Sequence, residues 1–112
     1  MQAFTNLGDL VDRSADAERP ALIDLGGPNG PREFTHSQMD RMAGAMAAAL
    51  QARGYQRGDR IAILATNRVE FLVAYFGTMR AGMVSVPVNY KFPDETINFI
   101  LQDAEIKLVF CD

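Results

Sequence analysis

Short unbroken apolar runs alternate along this chain with longer segments whose apolar residues recur every three or four positions. That alternation predicts strands interleaved with helices. Residues 61–65, 83–88 and 106–110 are apolar runs bounded by polar or turn residues, the pattern of parallel strands covered on both faces. Between the first two, residues 68–81 are apolar nearly all round (Val69, Phe71, Leu72, Val73, Tyr75, Phe76, Met79), which predicts a buried helix with Phe76 in the core. Asn67 stands where an N-cap belongs, Glu70 can complete a capping box, and Gly82 can close the helix in the left-handed conformation. Strand, helix and strand make a βαβ unit, right-handed by the usual rule. A second crossover helix is expected from Pro93, with Asp94 and Glu95 in its first turn and Ile97, Ile100, Leu101 and Ala104 on its buried face.

Upstream, Phe4, Leu7, Leu10 and Val11 keep helical spacing, so an amphipathic helix is expected over residues 5–15. Residues 21–25 and 32–35 read as two strands of a hairpin. The loop between them, Gly26-Gly27-Pro28-Asn29-Gly30-Pro31, is rich enough in glycine to suggest a phosphate cradle. It precedes a strand rather than opening a helix and holds no lysine, and Asn29-Gly30 is a hairpin turn signal, so the turn is preferred. Thr35-His36-Ser37-Gln38 has the form of a capping box, and Met39, Met42, Ala43, Met46, Ala47 and Leu50 then make one helical stripe ending near Gly54. A methionine stripe can line an adaptable groove, but the alanines beside it favour close packing in a core.

The 112 residues are enough for one domain with a modest core. A net charge of −3 argues against nucleic acid or anionic membrane as a partner. Cys111 is the only cysteine, so no internal disulfide can form, and a reducing, cytoplasmic compartment is the natural reading. The first residues lack the basic-then-apolar order of a signal peptide, and the longest apolar run, 42–50, is too short to cross a bilayer. His36 is the only histidine. A general base needs an oriented partner, and one His with one distant Cys makes no metal site, so His36 is read as an exposed polar residue in a first helical turn. Asp59, just before a strand, is read as a turn cap rather than a catalytic carboxylate. The fold class that follows is α/β: a three-stranded parallel sheet with crossover helices, preceded by a helix and a hairpin.

Gly58-Asp59-Arg60-Ile61-Ala62-Ile63 followed by Asn67, then Arg80-Ala81-Gly82 and Val86-Pro87-Val88-Asn89, resembles the start of the adenylate-forming acyl-CoA synthetases. The resemblance runs over nearly the whole chain. It implies that residues 1–112 are the opening lobe of a large AMP-binding domain in an acid–CoA ligase that forms an acyl adenylate and then a thioester. The cofactors and partners implied for the whole enzyme are ATP, magnesium, coenzyme A and a small carboxylic acid. The family's phosphate loop, magnesium-binding acid, ribose-binding aspartate and mobile lysine match nothing in these residues, so no catalytic residue is assigned and this piece alone is expected to be inactive. Two rival readings are an adenylation domain that loads a carrier protein and an interaction module without chemistry. Val86-Pro87-Val88-Asn89-Tyr90-Lys91 looks closer to the CoA ligases than to the Leu-Pro-Leu-Asp wording of the carrier-loading enzymes. Some relatives carry an arginine after the Pro-x-Asn turn that resembles a contact to the 3′-phosphate of coenzyme A. Lys91 matches that place and is the one candidate ligand contact, its alternative being a solvated lysine ahead of a helix.

A parallel sheet that ends at residue 110 leaves a strand edge and apolar helix surface open. The chain is therefore expected to self-associate. Sedimentation velocity should show a concentration-dependent dimer, and a clean monomer over a wide concentration range would overturn that expectation.

Overall fold

The computed structural model describes residues 6–9 and 16–112. Its elements, in order, are strand β1 (Pro20–Asp24), strand β2 (Arg32–Thr35), helix α1 (His36–Ala52), strand β3 (Arg60–Leu64), helix α2 (Val69–Arg80), strand β4 (Val84–Pro87), helix α3 (Asp94–Asp103) and strand β5 (Leu108–Cys111). β1 and β2 form an antiparallel hairpin with Asp24 opposite Arg32. The other strands form a parallel sheet in the order β4-β3-β5. Of the helix expected over residues 5–15, residues 6–9 instead form a turn with Leu7 exposed, and the rest lies outside the described residues.

β3 sits in the middle of the sheet, and its side chains point alternately to two apolar layers. Ile61 packs with Ala47 and Leu50 of α1 and with Ala81 and Met83 at the end of α2. Ala62 packs on the opposite face with Val88 and Ile97, and Ile100 and Leu101 of α3 close over it. Two crossovers that run in opposite directions across a sheet place their helices on opposite faces when both are right-handed, which is the arrangement α2 and α3 adopt. Ile61, Ala62 and Ile63 are consequently 0%, 0% and 1% exposed. β4 and β5 each pair with β3 alone, so each has one edge open among the described residues.

Helix boundaries follow local chemistry. The Gln38 amide donates to Thr35 Oγ1 at 3.1 Å and the Thr35 amide donates to Gln38 Oε1 at 2.8 Å, so the capping box before α1 is formed as expected. α2 ends in a Schellman motif: the Met83 amide donates to Thr78 O, the Gly82 amide donates to Met79 O, and Gly82 has φ +83°. This explains why β4 begins at Val84 rather than at 83, since Met83 is still closing the helix. β5 likewise begins at Leu108 rather than at 106, because the Ile106 amide donates back to Leu101 O. Pro93 caps α3 and Asp94 opens it, one position later than the sequence suggested.

α2 is less buried than its composition predicts. Val69, Ala74, Gly77 and Thr78 are buried, but Phe76 is only half-buried, because it faces an open cleft beside Leu22 and Met39 rather than the sheet. The close approach of α2 to α1 is made at Gly77. A Cβ there would lie 2.5 Å from both Cβ and Cγ of Met46 and 3.0 Å from Ala43 O. In an exposed helix Gly→Ala gains about 1 kcal/mol, whereas overpacking a helix contact costs about 1–3 kcal/mol. Since Met46 Cβ is fixed to its own backbone, the clash should win. Gly77→Ala should lower the unfolding free energy by about 1 kcal/mol, and urea titration showing a gain would contradict the packing described.

Candidate functional site

A network of paired charges, Asp24, Arg32, Glu70, Arg68 and Asp112, lies where the hairpin meets the carboxyl end of β3. The organising group is Asp24, the last residue of β1 and buried. Its Oδ2 accepts from the Val69 amide at 3.0 Å and from Arg32 Nη2 at 2.6 Å, and its Oδ1 accepts from the Gly26 amide at 3.0 Å. The bond to Val69 satisfies one of the first amides of α2, which have no partner within the helix, the same need an N-cap side chain meets at the next two positions. The local cap expected from Asn67 is not made. Arg68 holds the N-cap position without a side-chain cap bond, and the carboxylate comes from another strand. Glu70 does not reach back to close a capping box either. It accepts from Arg32 Nη1 and Nη2 at 3.1 and 3.2 Å, and from Arg68 Nε at 2.7 Å.

The cluster continues to the end of the sheet. Asp112 Oδ2 accepts from the Thr66 amide at 3.1 Å and from Thr66 Oγ1 at 2.6 Å, and Arg68 Nη1 stands 3.9 Å away. The carboxyl ends of β3 and β5 are thereby joined. The bonds from Val69 and Gly26, with Arg32 beyond them, hold the Asp24 carboxyl down at about 2. Arg32 and then Arg68 hold Glu70 down at about 2. Hydrogen bonds from Thr66 lower Asp112 as well.

Two clefts flank this cluster. One of about 420 Å³ runs between β1 and the start of α2, lined by Leu22, Leu25, Val69, Phe71 and Leu72. The other, of about 190 Å³, lies over the loop Gly26–Gly30 beside Arg32, Thr66 and Arg68. The second has the glycines and guanidiniums of an anion site but not its charge. Arg32 and Arg68 already face three carboxylates, Asp24, Glu70 and Asp112. The loop itself is a turn rather than a phosphate cradle, but it is centred one residue before the Asn29-Gly30 pair: the Gly30 amide donates to Gly27 O, with Pro28 and Asn29 at its centre.

The remaining sequence candidates lie apart. Asp59 accepts from the Gln56 amide at 2.8 Å, a turn cap as expected. His36 begins α1 and is half-buried rather than exposed, in the cleft with Leu22 and Met39. Cys111 is exposed. Lys91 is exposed at the carboxyl end of β4, on the same end of the sheet as Thr66 and Asp112. Its amide donates to Asn89 Oδ1 at 2.9 Å and its Nζ lies 5.9 Å from the centre of the Tyr90 ring. It lines neither cleft. Among the described residues no group of His, Cys, Asp or Glu is placed to hold a metal ion, and no helix is long and apolar enough to cross a membrane.

Residues 11–112 match the profile of a family described as AMP-binding enzyme. The chain belongs to that family. It is 34% identical over 104 residues to the long-chain-fatty-acid–CoA ligase FadD13 of Mycobacterium tuberculosis, a match covering 93% of this chain and 20% of that protein. To the 3-hydroxybenzoate–CoA ligase of an Aromatoleum species it is 28% identical over 96 residues, covering 86% and 17%. Among solved structures, the N-terminal domain of FACL13 from Mycobacterium tuberculosis superposes with a TM-score of 0.68 at 36% identity, covering 71% of this chain and 20% of that one. ATP-bound MatB from Rhodopseudomonas palustris superposes with a TM-score of 0.71 at 34% identity, covering 87% and 19%. The chain thus spans about a fifth of the length of the relatives it matches.

Asp24 was not singled out from sequence. An acid closing an apolar strand before two glycines carries no signal of its own, because Val69 lies 45 positions on. The structure makes two cap residues experimentally distinguishable. Asp24→Ala should lower the melting temperature by several degrees, while Asn67→Ala should leave it within about a degree. The reverse order would restore the local cap. Folded carboxyls held near 2 stabilise the fold above their unfolded range and lose that contribution as protons return. Stability from Asp24 and Glu70 should therefore be flat from pH 5 to 8 and fall below about pH 4.5, and Asp24→Ala should flatten the acid limb.

Proposed function

We propose that this chain is the N-terminal part of an ATP-dependent carboxylic acid–CoA ligase. The match to CoA ligases along nearly the whole chain is the observation that carries the reading. In the full enzyme a carboxylate and ATP give an acyl adenylate and pyrophosphate, and the thiol of coenzyme A then displaces AMP. These residues supply scaffold to that reaction. Phosphoryl and adenylyl transfer rest on positioning and charge neutralisation. The chain's lysines are Lys91 and Lys107, neither within a glycine-rich loop, and its clustered arginines are occupied by carboxylates. Asp24, Glu70 and Asp112 are likewise bound to arginine, threonine or backbone donors, and no group of acids among the described residues is placed to hold a metal ion, so magnesium does not fit here and no step is routed through it. The piece alone is therefore inactive, and the full enzyme works in the cytoplasm, where ATP and coenzyme A are supplied.

Within that reading Lys91 contacts the 3′-phosphate of coenzyme A. Its exposure beyond β4 and the absence of any carboxylate partner among the described residues support this, because an unneutralised ammonium at the ligand-binding end of a parallel sheet is available to an anion. Acid-dependent ATP–pyrophosphate exchange should be undetectable with the 112-residue chain and present with the complete reading frame; exchange by the short chain would overturn the scaffold reading. In the complete enzyme Lys91→Ala should raise the KM for coenzyme A several-fold and leave exchange unchanged. An unaltered KM would retire the contact without touching the ligase assignment.

A further inference from the structure

We draw no further inference here: the strongest candidate, the open apolar cleft of about 420 Å³ between β1 and the start of α2, has Ile23 and Leu25 exposed at its rim but nothing in the structure shows what covers it.

Discussion

β3 can be buried only because every direction around it is occupied. β4 and β5 satisfy its backbone on either side, α1 and the end of α2 cover Ile61, and α3 covers Ala62. A parallel strand with both faces covered must be apolar throughout and must be flanked by crossover helices. Both requirements are met by the order of elements in the chain. The consequence is a dependence of parts: α3 has no apolar layer to join until β4 and β5 flank β3, and α1 has no sheet to cover without Ile61. The outer strands carry their own open edges, whereas the centre does not.

The hairpin is attached by other means. Its apolar residues Ile23 and Leu25 face outward, and Asp24 faces in. Burying a carboxylate is costly unless its oxygens are bonded, and here both are. The same group that satisfies the start of α2 also fixes Arg32, and through Arg32 it reaches Glu70 and Arg68. Charges in a cleft often signal a site, but these are matched to one another. The cluster is a clasp that sets the hairpin and the loop after β3, and its arginines have little charge left for a phosphate.

What was legible in the sequence was what depends on near neighbours. The Thr35–Gln38 box closes within one helical turn, and the βαβ unit declares itself by a change of period from strand to helix. The apolar pattern starts two strands too early, at Met83 and Ile106, because an apolar residue closing a helix looks the same as one opening a strand. An apolar helix points to Phe76 as core, yet the side it occupies borders a cleft rather than the sheet. The Asp24 cap was out of reach for a different reason. An N-cap is normally local, and Asn67 offered a plausible local one, so nothing pointed to a carboxylate 45 positions upstream. For the site, family resemblance outran residue chemistry: it identified the family, while the chain itself offered only Lys91 as a candidate contact.

Stability centres on β3, with the hairpin as a clasped attachment, and native-state hydrogen exchange reads that distribution residue by residue. The amides of Ile61, Ala62 and Ile63 should exchange last, with a free energy equal to that of global unfolding measured by denaturant. Amides of the β1–β2 ladder should exchange through a cheaper opening that leaves β3 protected. Hairpin amides as slow as those of β3, or β3 amides exchanging well below the global free energy, would contradict the account.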